Sequence, residues 1–311
     1  MAIKGWGGKA ARGLALAGLV AGSVLSFGAA NASASHHGGL VIAHRGGYDR
    51  APESTIAAIS HSIRAGADGV EFDVRFTKDG VPVLMHDDTV TRTTNCRGFV
   101  DSFTYRELEH CDAGSWFSGR FRGERVPSLN TAMAFIRSHS NTLRAFVHVK
   151  DSSPSEAGRI VNTISANRMA NDRTTIIGST EATLRTMRAA GAGRVGYVFS
   201  NPDGWNTDWP VLIPYNVPVS SGLVARAERR GAEVFAVQDH PDSMSRIFGL
   251  GLTGLLANDL TEALDMMNGG SVPAHSSHRS HSSRGHSHSH AGSGGGDSHG
   301  HGGGGGGGGG F

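Results

Sequence analysis

Short apolar runs alternate with amphipathic stretches through the middle of the chain, and this alternation limits the fold more than any other feature. Leu40-Val41-Ile42-Ala43, Gly69 to Val74, Val81 to Met85 and Arg144 to Lys150 read as strands. So do Thr174 to Ile177, Val195 to Phe199, Val211 to Ile213, Val234 to Val237 and Gly254 to Leu256. These nine runs come close to the eight strands that a closed barrel needs. Thr55 to Ala65, Leu129 to Ser138, Thr180 to Ala189, Leu223 to Arg230 and Pro241 to Phe248 read as helices between them. The first carries Ile56, Ile59 and Ile63 on one stripe, with Ser54 as its expected cap. Strands alternating with helices imply a mostly parallel sheet. A body of about 240 residues favours a single (β/α)8 TIM-type barrel over an open doubly wound sheet. Asp87 to Pro127 interrupts the pattern with turn-rich sequence and a short helix from Tyr105 to Glu109. It reads as a small insertion after the third strand.

Both ends differ from this body. Lys4, Lys9 and Arg12 precede an uncharged run from Leu14 to Phe27, and small residues at Ala30, Ala32 and Ala34 offer cleavage sites. Residues 1–34 therefore read as a secretory signal peptide and 35–39 as a short linker. The apolar run falls short of the roughly 20 residues of a spanning helix, so no stable membrane span is expected after cleavage. Residues 271–311 are nearly all His, Gly and Ser and read as a disordered tail beyond a barrel of residues 40–270. Its histidines could bind metal ions, or the segment could serve as a cell-wall spacer. The expected location is secreted, with cell-wall association left open. A net charge of +2 gives no footprint for a nucleic-acid partner. Cys96 and Cys111 are the only cysteines. In an exported chain they are expected to form a disulfide, the alternative being two buried thiols.

In a β/α barrel, chemistry collects at the carboxyl ends of the strands. There the chain places His44 and Arg45, then Glu71 and Asp73 on the face opposite Val70, Phe72 and Val74, then His86. His148 and Lys150 share a face of the fourth strand, read as the one without apolar residues. If Asp79-Gly80 is a two-residue hairpin loop, Asp73 lies opposite His86 and points to the same side. Burying such groups without partners would cost several kcal/mol each, which points to a site; the alternative is a structural ion-pair network. Carboxylates suit calcium or magnesium, Arg45 can fork onto a phosphate, and two histidines can serve as acid and base near neutral pH. A phosphodiester needs all three services.

His44-Arg45-Gly46, Pro52-Glu53-Ser54-Thr55, Gly66-Ala67-Asp68, Glu71-Phe72-Asp73-Val74, Thr77-Lys78-Asp79-Gly80 and Pro82-Val83 through His86-Asp87 resemble the signature of glycerophosphodiester phosphodiesterases. Val126 to Leu129 and Leu252 to Asp259 resemble later family segments, so the similarity spans roughly Leu40 to Leu264. The resemblance implies hydrolysis of a small-molecule glycerophosphodiester to sn-glycerol 3-phosphate and an alcohol, with a bound divalent cation. It implies His44 and His86 as the acid–base pair, Arg45 and Lys150 as phosphate or substrate contacts, and Glu71 and Asp73 as metal ligands. At His148 the family has a Glu ligand. Imidazole is softer, so a transition metal becomes an option beside calcium and magnesium. Glu53 is expected either behind the site or on the metal. Phe235 stands for a usual Trp near the seventh strand and could alter substrate fit. A lyase that releases a cyclic phosphate, or a non-catalytic metal-binding surface protein, are the alternative readings.

Overall fold

The computed structural model describes residues 39–150, 152–238 and 249–268. The expected signal peptide, the tail and the helix over Pro241–Phe248 lie outside those residues. Nine strands are present among the described residues: β1 (Leu40–Ala43), β2 (Gly69–Phe76), β3 (Pro82–Leu84), β4 (Arg144–Val149), β5 (Thr174–Gly178), β6 (Val195–Phe199), β7 (Val211–Pro214), β8 (Glu233–Val237) and β9 (Gly254–Ala257). Eight run parallel in the order β1-β9-β8-β7-β6-β5-β4-β2, and pairing of β1 with β2 closes the ring. The ninth, β3, pairs antiparallel with β2 outside the ring.

The closure follows from which residues turn inward. Ile42, Phe146, Ile177, Val198, Val211, Ile213, Phe235, Val237 and Leu256 form one buried cluster inside the barrel. The Phe146 and Phe235 rings meet edge to face at 5.1 Å. Full burial of such a ring stabilises the fold by about 2–3 kcal/mol. Room for these rings comes from glycine. A Cβ on Gly254 would stand 2.6 Å from the Leu40 carbonyl oxygen and 2.7 Å from the Phe235 ring. The opposite strand faces, with Val70, Phe72, Val74, Val147 and Leu212, pack under the helices in a second and larger cluster.

The helices start where a side chain satisfies the first free N–H groups. Thr55 caps α1 (Ile56–Ala65), Ser128 caps α3 (Leu129–His139), and Thr180 caps α5 (Glu181–Ala189). Thr104 with Glu107 and Ser153 with Glu156 form capping boxes for α2 (Tyr105–Leu108) and α4 (Pro154–Ala166). Ser220 and Asp259 are simple caps for α6 (Ser221–Glu228) and α7 (Leu260–Met267), accepting from the Leu223 and Glu262 N–H groups. The expected cap Ser54 is displaced by one: Thr55 accepts from the Ala58 N–H, and Ser54 takes φ +57° in the turn before it.

Two other expectations are corrected. The β2–β3 loop has three residues, Lys78-Asp79-Gly80, because Thr77 pairs with Val81 through its backbone N–H and its hydroxyl. That shifts the register by one, so Asp73 lies opposite Met85 and not opposite His86. The β4 face carrying His148 is also not free of apolar residues, since Phe146 has the same parity and points into the barrel.

Residues after β3 form a small layer with its own core. Val83, Met85, Val90, Val100, Leu108, Cys111, Ala113 and Val126 cluster there. Asp112 ties its loops by accepting from the N–H groups of Gly114, Ser115 and Gly123. Cys96 and Cys111 are joined by a disulfide across 15 residues. A loop of that length corresponds to about 3 kcal/mol of stabilisation in the chain-entropy view. Replacing both cysteines by Ala should lower the melting temperature by roughly 5–10 °C at this domain size. An unchanged melt would show that the bridge adds no stability.

Candidate active site

The first part of the site is a turn at the end of β1. His44, Arg45 and Gly46 form a single 3-10 turn, and Arg45 takes a left-handed φ of +49°. Such a conformation is costly for a side-chain-bearing residue and is held by its surroundings. The Arg45 N–H donates to Glu71 Oε2 at 2.9 Å, and the Arg45 carbonyl accepts from the Ser54 N–H at 2.9 Å. Ser62 Oγ donates to the Gly46 carbonyl. Gly47 (φ +100°) admits no side chain, because a Cβ would sit 2.3 Å from Ser62 Oγ. The turn therefore aims His44 and Arg45 over the barrel mouth.

His44 is buried, and its Nδ1 lies 2.6 Å from Asn258 Oδ1. The Asn258 amide nitrogen donates to the Gln238 carbonyl, so its oxygen is the acceptor and His44 Nδ1 carries the proton. Nε2 is left as the basic nitrogen, 3.7 Å from Glu71 Oε2. Burial, followed by the charge of Arg45, lowers the His44 pKa to about 4. The imidazole is thus neutral at pH 7.

The second part lies on β2 and β4. Glu71, Asp73 and His148 are buried, with one ligand atom from each lying within 4.8 Å of the others. Asp73 Oδ1 is 2.8 Å from Lys150 Nζ and 3.1 Å from His148 Nδ1. Burial, then the neighbouring Asp73 charge, pushes the Glu71 carboxyl well up. Burial also works to raise Asp73, but the neighbouring His148 ring and the charge of Lys150 override it and hold it low. Burial lowers His148 to about 4, which keeps its imidazole neutral. His148 Nε2 reaches Ser179 Oγ at 3.1 Å, leaving Nδ1 toward the carboxylates.

The third part is His86. Arg45 donates from Nη2 to His86 Nε2 at 3.0 Å, and an arginine can only donate. His86 Nδ1 therefore carries the proton and donates to Asp87 Oδ1 at 2.8 Å. That hydrogen bond, with those from Arg92, holds the Asp87 carboxyl far below the usual range against its partial burial. Glu53 accepts from Arg45 at 3.3 Å and from Arg92 at 2.7 and 2.8 Å.

Residues 44–262 match the Glycerophosphoryl diester phosphodiesterase family. The chain belongs to this family. It is 30% identical over 243 residues to a glycerophosphodiester phosphodiesterase from Caldanaerobacter subterraneus, covering 74% of this chain and 98% of the relative. A phosphodiesterase from Oleispira antarctica, solved with the product sn-glycerol-3-phosphate, superposes with a TM-score of 0.67 at 24% identity. That match covers 74% of this chain and 96% of the other. A glycerophosphodiester phosphodiesterase from Agrobacterium tumefaciens gives 0.62 at 23% identity, over 72% of this chain and 98% of that one. At these identities the two structures speak for the fold.

The site residues expected from the family signature lie together at one barrel mouth. Glu53 is not part of the Glu71–Asp73–His148 group; its carboxylate is held between two arginines. Phe235 is fully buried inside the barrel against Phe146, as part of its packed interior. His86 comes to the site by a route other than strand pairing. The chain leaves the ladder after Met85, and Arg75 Nε holds the His86 carbonyl at 3.0 Å. Asn258, Gln238, Ser179 and Arg92 were not anticipated. Asn258 had a readable signal, as a polar residue ending a buried strand at the carboxyl face of a phosphodiesterase-family barrel.

Proposed function

We propose that this family member is an exported, divalent-cation-dependent hydrolase. It cleaves glycerophosphodiesters to sn-glycerol 3-phosphate and an alcohol, with His44 and His86 as the acid–base pair. The observation that carries the reading is the convergence of three sets at one mouth: a buried carboxylate–imidazole group, an arginine aimed over it, and two histidines that each carry the proton on Nδ1 and leave Nε2 for chemistry.

The donor set fits a divalent cation. Glu71 Oε1 and Asp73 Oδ2 are buried with no hydrogen-bond partner. Orphaned buried oxygens of this kind are costly, and a cation would satisfy both. His148 Nδ1 would be the third donor, since Lys150 Nζ, which can only donate, lies 3.3 Å from it and leaves the ring proton on Nε2 toward Ser179. When bound, the ion would neutralise phosphate charge. Two oxygens suit calcium or magnesium, while the imidazole adds affinity for a transition metal.

The chain's own groups do the rest. Arg45 Nε is buried without a hydrogen-bond partner and would donate to a phosphate oxygen. Lys150, beside Asp73, adds a second positive charge. His44 Nε2 takes a proton from the attacking water as the new P–O bond forms. Once the phosphate has drawn Arg45 away and Nε2 has taken up a proton from solvent, His86, its Nδ1–H held by Asp87, gives the Nε2 proton to the leaving alkoxide as the ester P–O bond breaks. The phosphate also competes for Arg45, which in the free enzyme occupies His86 Nε2. Phosphorus NMR of glycerophosphocholine digests tests the reaction class: glycerol 3-phosphate supports hydrolysis, and a stable cyclic phosphate would replace it with the lyase reading.

Export is supported by the basic-then-apolar start of the chain and by the disulfide, a bond of oxidising compartments. Intact mass of protein collected from the medium should show a start just after Ala32 or Ala34. Retention of the full-length mass inside the cell would oppose it.

A further inference from the structure

Arg92 lies in the small layer after β3, outside the barrel, and its side chain is 43% exposed. It nevertheless makes four hydrogen bonds to two carboxylates that serve the site. Nε and Nη2 reach Asp87 Oδ2 and Oδ1 at 2.7 and 2.9 Å. Nη1 and Nη2 reach Glu53 Oε2 and Oε1 at 2.8 and 2.7 Å. Asp87 holds His86 Nδ1, Glu53 holds Arg45 Nη1, and Arg45 Nη2 meets His86 Nε2. The five side chains thus form a closed ring of charge: His86, Asp87, Arg92, Glu53, Arg45. Arg92 is the member farthest from the barrel groups, and it is bonded to neither His86 nor Arg45.

We infer that Arg92 is a positioning residue that sets the orientation of both the proton donor His86 and the phosphate-binding Arg45. The inference rests on the roles assigned to those two residues above. The geometry requires a guanidinium. Its planar fork holds two carboxylates at fixed angles, which a lysine ammonium cannot reproduce. Without it, Asp87 and Glu53 would face each other across the gap as like charges. Asp87 would then no longer fix the His86 tautomer, and Glu53 would no longer fix the reach of Arg45. The two arms should separate kinetically. The Asp87 arm acts on proton delivery to the leaving group, and the Glu53 arm acts on phosphate binding.

The test is Arg92→Ala in the full exported chain, assayed on glycerophosphocholine and on a p-nitrophenyl phosphodiester of glycerol. The nitrophenolate leaves without a proton, so a defect in proton donation does not show on it. Turnover on the choline ester should fall by about 30-fold or more, within the range that a positioned acid contributes, and by only a few-fold on the nitrophenyl ester. Guanidinium ion should restore part of the loss, and Arg92→Lys should restore little. Asp87→Asn should lower kcat on the choline ester, and Glu53→Gln should raise KM. Because Arg92 is half exposed, the melting temperature should hold within about 2 °C. Equal losses on the two esters, or a loss explained by a lowered melting temperature, would make Arg92 merely structural and overturn the inference. Full activity of Arg92→Ala would overturn it as well. An inactive parent chain would instead strike at the proposed function.

Discussion

Dialysis against a chelator is expected to reduce hydrolysis of glycerophosphocholine by about 100-fold or more, with recovery on adding back one divalent cation. The reason lies in the carboxylates. Glu71 and Asp73 are both buried on adjacent inward positions of β2, and two ionised carboxylates cannot share such a space without a counter-charge. Lys150 and His148 lie closest to Asp73, at 2.8 and 3.1 Å, whereas Glu71 Oε1 has only His148 Nδ1 at 3.9 Å and no hydrogen-bond partner. A divalent cation bound there would let both ionise. Glu71→Gln and Asp73→Asn should therefore abolish recovery at any practical metal concentration. His148→Glu is the informative third variant. A third oxygen in place of nitrogen should move the order of effective metals toward magnesium and calcium, read from activity titrated with each metal in turn and from calorimetric binding. Undiminished turnover after chelation, with no metal found by elemental analysis, would remove the cation from the mechanism. An unchanged metal order in His148→Glu would show that His148 is not a ligand.

The barrel was legible because its strands and helices obey different periods, and because a parallel sheet buried on both faces writes its strands as short apolar runs. The motif residues were legible for a related reason. A polar side chain on an inward strand position, such as Glu71 or His148, has no structural purpose in a buried barrel and stands out against Val, Ile and Leu. What failed was register. Whether Asp79-Gly80 is a two-residue loop or the end of a three-residue one depends on the Thr77 hydroxyl. It accepts from Val81 and donates to Asp79, and composition does not reveal this. The same limit hid the charge ring. Glu53 and Arg92 are 39 positions apart, and nothing local in either segment says that they meet. Asn258 pairs with His44 across 214 positions because β9 closes the barrel beside β1, so the partner becomes visible only once closure is known.

His44→Ala and His86→Ala should each lower kcat on glycerophosphocholine by about 10²- to 10⁴-fold, the usual worth of a positioned acid or base. The two losses should differ in kind. With a p-nitrophenyl leaving group, the His86 variant should recover most of its rate, since no proton is needed at the departing oxygen. The His44 variant should not recover, because activation of the attacking water is still required. The pH profile gives a second distinction. Only the neutral imidazole accepts a proton, so the base contributes the acid limb of kcat/KM. Burial and the Arg45 charge have lowered His44 to about 4, so its limb belongs near pH 4 and the rate should stay level from there toward neutrality. A limb at the ordinary histidine value would place the base elsewhere. Equal recovery of both variants with the nitrophenyl ester would exchange the roles or dissolve them. If His44 is the base, Asn258 gains a function too. Its Oδ1 holds the Nδ1 proton and so leaves Nε2 to do the chemistry. Asn258→Leu should then reproduce much of the His44 loss while the imidazole itself remains in place.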